Sequence, residues 1–173
     1  MKIDIEDISE AGLSVDVSAT AAELVAIAGK LDFTLSAPVQ ARLEMSRTGG
    51  EVQVSGEIKA SLGFVCSRCL KEFEYPVDAA FSLFYTRQRQ TEKEKELTKA
   101  DFDVNLLASN EMDTTEILLG QLTLEAPIQP LCREECKGLC PNCGADLNDG
   151  ACACADRHKT DSRFAGLKDY KVK

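Results

Sequence analysis

Eight cysteines carry the chemistry this sequence can do: Cys66, Cys69, Cys132, Cys136, Cys140, Cys143, Cys152 and Cys154. Two of them form Cys66-Ser67-Arg68-Cys69, and the other six crowd between Cys132 and Cys154. A Cys-x-x-Cys at a tight turn aims both sulfurs at one point and lets backbone N–H groups bond to them, which is half of a tetrahedral zinc site. Cys140-Pro141-Asn142-Cys143-Gly144 is a stronger signal of the same kind. The glycine after the second cysteine permits a left-handed turn, and Pro141 fixes φ while removing a donor. Six cysteines so close together have no account as core packing. A disulfide framework needs an oxidising compartment. The start Met1-Lys2-Ile3-Asp4-Ile5-Glu6-Asp7 is acidic and alternating, without the basic and apolar stretches of an export signal, so a reducing cytoplasm is expected.

The spacing predicts two zinc ions in two sites of four thiolates. In the preferred pairing Cys66 and Cys69 join Cys132 and Cys136, while Cys140 and Cys143 join Cys152 and Cys154 in a short zinc-ribbon-like loop. A single site with cysteines to spare is the alternative. A redox dithiol at Cys66 and Cys69 is a third reading, but such pairs ordinarily open a helix whose N-terminus stabilises the thiolate. Lys71 to Tyr85 alternates like a strand instead. His158 is the one histidine and sits in a charged tail, where exposure is the simpler reading. No phosphate-binding glycine loop and no His-Glu-x-x-His occurs, and a zinc held by four thiolates has no open position for water. A non-enzymatic protein is expected.

The elements that must position these cysteines are mostly strands. Val39, Ala41, Leu43 and Met45 alternate with Gln40, Arg42, Glu44 and Ser46. After Thr48-Gly49-Gly50 the alternation resumes through Val52, Val54, Ile58, Ala60, Leu62 and Phe64, and a third run covers Phe73, Tyr75, Val77, Ala79, Phe81, Leu83 and Tyr85. A period of two marks half-buried strands, and a glycine pair supplies the positive φ of a hairpin turn. Cys66 and Cys69 then fall at the tip of the second hairpin. Ile3, Ile5 and Ile8 start a further strand, and Ala21 to Ala28 makes a short helix ended by Gly29. Asp113-Thr114-Thr115-Glu116 caps a second helix, with Ile117, Leu118 and Leu122 at helical spacing and Pro127 and Pro130 ending it. Thr86 to Lys99, with almost no apolar residue, reads as a solvated linker. The expected class is α+β: an antiparallel meander with a packed helix over residues 1–130, and a zinc-ribbon-like cysteine module with a charged tail over 131–173.

The chain has 173 residues and a formal net charge of −9. That length fits one domain, or one with a small appendage, and no apolar run is long enough to span a membrane. Two filled tetrathiolate sites would add further negative charge. So acidic a chain does not bind nucleic acid by unspecific charge, and contact with RNA must be local or pass through a basic partner. The tail supplies a local basic stretch, with Arg157, Lys159, Arg163, Lys168, Lys171 and Lys173 set against Asp156, Asp161 and Asp169. Phe164, Leu167 and Tyr170 lie among them at helical spacing. The stretch is either an amphipathic helix docked on the protein or an RNA or ribosome contact through Arg157, Lys159, Arg163 and Lys168.

An ordered set of these motifs resembles the bacterial YceD family. The set comprises Cys66-Ser67-Arg68-Cys69-Leu70, Leu124-Glu125-Ala126-Pro127, Pro130-Leu131-Cys132, Cys136 to Gly144, Leu147-Asn148 and Asp161-Ser162-Arg163-Phe164-Ala165-Gly166-Leu167. Ser162 stands where the family usually has proline. The resemblance implies a non-catalytic role in the accumulation or processing of large-subunit (23S) ribosomal RNA in ribosome assembly. The expected partners are that RNA or its precursor particles, reached directly or through a ribosomal protein. A zinc-ribbon adaptor for another protein and a thiol–disulfide enzyme are the competing classes.

Overall fold

The computed structural model of the chain describes residues 1–9, 11–87, 104–107 and 109–154. It separates into two compact units, Met1–Phe64 with Glu72–Pro130, and Val65–Lys71 with Leu131–Lys173. The class is α+β, with strands and two α-helices in the first unit and a cysteine-rich segment in the second.

The first unit is built on the alternating segments. Strands β1 (Lys2–Asp4), β2 (Leu13–Ala19), β3 (Thr34–Leu35), β4 (Val39–Thr48), β5 (Glu51–Val65), β6 (Glu72–Arg87), β7 (Val104–Leu107) and β8 (Glu111–Asp113) are joined by helices α1 (Ala21–Ala28) and α2 (Thr114–Glu125). The main sheet runs β2-β4-β5-β6-β7, with β3 also on β5, and β1 pairs with β8 in a separate ribbon. Along β4 the expected face is buried at every second residue, with Val39 and Leu43 fully enclosed. Gly49 takes φ 63° in the two-residue turn, which sets Thr48 opposite Glu51 and so fixes the register of β4 on β5. Val52, Val54, Ile58 and Leu62 continue that buried face along β5.

The helices follow their caps. Thr20 and Glu23 form a reciprocal capping box at the start of α1, and Gly29 ends it at φ 73°. Asp113 caps α2 by accepting from Thr115 N at 2.9 Å, and the helix stops at Glu125, ahead of Pro127. Its buried stripe is Thr114, Ile117, Leu118, Gln121 and Leu122.

Four features differ from the sequence expectation. Ile3, Ile5 and Ile8 do not share one strand: β1 ends at Asp4, and Ile5–Asp7 is a single 3-10 turn opened by the Asp4 side chain, which accepts from Glu6 N. The strand Leu13–Ala19 was not expected, although Leu13, Val15, Val17 and Ala19 alternate; it pairs antiparallel with β4, Val17 opposite Ala41. The sheet is a mixed one rather than a pure meander, because β7 lies parallel to β6, with Phe84 opposite Val104. Thr86 and Arg87 finish β6 rather than opening a linker, and the remainder of that expected linker, from Gln88 on, lies outside the described residues.

Candidate metal centres

The second unit begins with the tip of the β5–β6 hairpin. Cys66 N–H donates to Lys71 O at 2.9 Å and Leu70 N–H donates to Cys66 O at 3.0 Å, so the chain reverses around the first cysteine pair. The same two bonds recur around the second pair. Cys140 N–H donates to Ala145 O and Gly144 N–H donates to Cys140 O, both at 2.8 Å. The residue after the second cysteine is left-handed in both turns, Gly144 at φ 73° and Leu70 at φ 60°. Glycine takes that conformation without a steric cost, whereas leucine is strained by about 1–2 kcal/mol. One knuckle therefore occurs twice, once with the residue its backbone favours and once against that preference.

The turns bring the sulfurs into two groups of four, Cys66, Cys69, Cys132 and Cys136 in one and Cys140, Cys143, Cys152 and Cys154 in the other, each with its sulfurs within 4.8 Å of one another. In the first group Cys66 Sγ and Cys136 Sγ are 3.8 Å apart, and Cys69 Sγ and Cys132 Sγ are 3.7 Å apart. Zn–S bonds of about 2.3 Å in a tetrahedron place sulfurs about 3.8 Å from each other. A disulfide would need about 2.05 Å. All eight thiols are free. The donor set and its spacing therefore fit a tetrahedral metal ion with thiolate ligands, and each group is able to hold one.

The electrostatics agree with that fit. Burial opposes ionisation of Cys66, but backbone N–H groups of Cys132, Cys69 and Arg68 face its sulfur and bring the thiol down to about 6. Cys140 is drawn down to about 6 by the N–H groups of Asn142 and Cys143. Cys136 is lowered as well, against its burial, by the Asn148 side chain and the Gly138 N–H, whereas Cys132 and Cys154 move the other way. Burial, with the thiols of Cys69 and Cys136 beside it, pushes Cys132 up to about 12, and the Cys143 thiol holds Cys154 up at about 11. Each cluster is prepared to ionise its first sulfur, and four thiolates at these distances need a cation between them. The clusters differ in shielding. Cys66, Cys69 and Cys136 are buried and Cys132 is half-buried, whereas Cys143 is exposed and Cys152 and Cys154 are half-buried.

Backbone contacts hold the segments in place. Leu139 N–H donates to Arg68 O at 3.1 Å, which draws residues 138 and 139 against the hairpin tip. Gly138 has φ 73°, and a Cβ there would lie 2.8 Å from Arg68 O. Both facts require glycine. Gly138→Ala is therefore expected to weaken metal retention at the first cluster, with earlier release in a chelator titration followed by thiol reagent. Release at the wild-type chelator concentration would show that residue 138 tolerates a side chain.

Sequence reasoning passed over the polar residues beside the clusters. Lys71 Nζ lies 2.6 Å from Asp146 Oδ2, and this contact, with the Asn148 N–H on the other oxygen, holds the Asp146 carboxyl down at about 2. The one available signal was the pairing of a lysine next to the first knuckle with acidic residues after the second. The candidate contact residues Arg157, Lys159, Arg163 and Lys168, like His158, lie outside the described residues. Among the described residues no helix is long and apolar enough to cross a membrane.

Fold and clusters together define a class: an α+β protein with a cysteine module offering two tetrathiolate metal positions. Residues 54–171 match the sequence profile of a family described as "Large ribosomal RNA subunit accumulation protein YceD", and the chain belongs to that family. It is similar to the chloroplastic "Large ribosomal RNA subunit accumulation protein YCED homolog 1" of Zea mays, with 28% identity over 84% of this chain and 59% of the relative. The homolog 1 of Arabidopsis thaliana is 25% identical over 92% of this chain and 57% of its own length. An uncharacterised protein of Mycobacterium bovis is 33% identical over 67% of this chain and 54% of its own. The chain thus spans little more than half the length of these curated relatives. No solved structure matches it.

Proposed function

We propose that this chain is a non-catalytic factor that promotes accumulation and processing of large-subunit (23S) ribosomal RNA during ribosome assembly, with its cysteine module shaped by two structural zinc ions. The family match over residues 54–171, which takes in both cysteine clusters, carries the functional half of this reading. The four-sulfur spacing supports the metal half. Soft thiolate donors in a tetrahedral set favour zinc, which when bound neutralises part of their charge and ties distant segments together. Closed tetrathiolate coordination leaves no position for a substrate, which supports a role in assembly over one in catalysis. In this reading residues 1–130 form the sheet-and-helix domain, which carries the first Cys-x-x-Cys at its hairpin tip, and 131–173 form the metal module with its tail. The cytoplasm is the proposed compartment.

The charge constrains the partner. At −9, and with each filled site adding about −2, the chain gains little from unspecific attraction to phosphate. The proposed target is therefore a large-subunit precursor particle that already carries basic ribosomal proteins, or one of those proteins. Arg157, Lys159, Arg163 and Lys168 are the proposed local phosphate contacts.

Loss of the protein is expected to lower the cellular ratio of large- to small-subunit ribosomal RNA, measured by quantitative electrophoresis. An unchanged ratio overturns the proposal. Wild-type protein should co-sediment with precursor particles, and reversing the four tail charges should weaken that association most at low salt and leave it less salt-dependent than the wild type. Equal association across salt would remove the tail from the mechanism.

A further inference from the structure

Asn148 belongs by sequence to the loop between the two cysteine pairs of the second cluster, yet its side chain serves the first. Its Nδ2 lies 3.5 Å from Cys136 Sγ and 2.6 Å from Asp146 Oδ1, and its Oδ1 accepts from Lys137 N–H at 2.9 Å. These partners fix the amide's orientation. Lys137 N–H can only donate, so the oxygen must face it. A thiolate and a carboxylate can only accept, so the two hydrogens of the NH2 group are directed at them. Both N–H donors of the amide are used and its oxygen accepts one bond, and no other uncharged side chain of this length offers an acceptor and two donors in that fork.

The loop that carries Asn148 is itself tied down. Asn148 N–H donates to Asp146 Oδ1 at 2.8 Å, Lys71 Nζ holds the other oxygen of Asp146 at 2.6 Å, and Leu147 N–H donates to Gly138 O at 2.9 Å. The loop leaves the second cluster through Cys143 and returns to it at Cys152. A metal in the second cluster therefore closes the loop at both ends, and the closed loop presents the amide to Cys136. Donors to a ligating sulfur orient it and spread its charge, and partners of this kind are worth about 10–100-fold in metal affinity.

We propose that Asn148 is a positioning residue for a metal at Cys66, Cys69, Cys132 and Cys136, delivered by the loop of the other cluster, so that filling the second site strengthens binding at the first. This rests on the metal-binding reading above. Coupling of this kind is reciprocal, so a filled first site also favours the second. The two ions then load and leave together, although the sulfur sets share no ligand.

The test uses the full chain with Zn2+ in competition with a chromophoric chelator, and Co2+ as a spectroscopic probe through its thiolate charge-transfer bands. Cys152→Ser removes a ligand of the second site only. It is expected to leave one bound metal, held about 10–100-fold more weakly than the tightest site of the wild type. Asn148→Ala is expected to retain two metals, one weakened to a similar extent, with a shifted cobalt charge-transfer band. Adding Asn148→Ala to Cys152→Ser should change the remaining affinity by less than about twofold, because the amide is already withdrawn. Asn148→Asp separates donation from simple space-filling: it keeps the size and the acceptor for Lys137 N–H but loses both donors, and should bind as weakly as Asn148→Ala or more so. Wild-type affinity in Asn148→Asp, an unaltered first site in Cys152→Ser, or full additivity in the double variant would each overturn the inference while leaving two-site metal binding intact. A wild-type chain that takes up neither Zn2+ nor Co2+ would instead overturn the metal-binding reading, and this inference with it.

Discussion

Cys140→Ser is expected to unfold the segment around the second cluster while the main sheet survives. Among residues 131–154 the buried hydrophobic residues are Cys136 and Cys140. A segment of this size cannot bury enough apolar surface to offset its conformational entropy. Structural zinc in small modules supplies about 10–16 kcal/mol of apparent binding free energy at neutral pH, so the metal would dominate the folding of this unit. Amide spectra should show collapse of the signals from Leu139 to Asp149, with β4 and β5 unchanged. Chelation of the wild type should reproduce that pattern and extend it to Cys132 and Cys136. Wild-type dispersion over 131–154 in the variant, or after chelation, would show that the segment folds without metal.

The opposite substitution is Leu43→Ala. Leu43 is fully enclosed at the middle of β4, between partners on β2 and β5, Val15 and Gly56. Large-to-small changes at such positions cost about 2–5 kcal/mol, because the neighbours cannot close the cavity. The loss should appear as an earlier denaturation midpoint of the sheet, with the number of metal ions per chain unchanged. Arg42, on the other face of the same strand, makes only an exposed pair with Asp16, at 2.8 Å. Solvent screens such exposed pairs, so Arg42→Ala should move the midpoint little. Comparable losses from both variants would contradict the assignment of the two faces.

What could be read in the sequence and what could not divide along physical lines. The strands around Gly49 and Gly50 were legible because burial on one face imposes a period of two and the turn needs glycine. Helix α2 was legible from its Asp113 cap and its prolines. Strand β2 alternates as clearly, but Ser14, Asp16 and Ser18 are weak strand formers and its apolar face ends in the small Ala19, so the signal was faint. A strand at Ile3 was legible, but its pairing with β8, more than a hundred residues on, and the parallel seat of β7 on β6 had no local sign. At the clusters, residue type and spacing pointed to the cysteines because metal ligation restricts both. The left-handed Leu70 stayed hidden because nothing in its own side chain favours that conformation. Asn148 was noticed only as part of the family motif, and its contact with Cys136 stayed hidden because the two are neighbours only once the chain has turned twice.

The central claim is that the eight cysteines hold two structural zinc ions, and the most direct test is elemental analysis of the full chain purified under reducing conditions, combined with a count of reactive thiols. Close to two zinc ions per chain are predicted, with the thiols slow to react until a chelator or acid removes the metal. Acid acts because thiolates must take up protons to release the ion. Less than one zinc per chain, with all eight thiols freely titratable in the folded protein, would contradict the account.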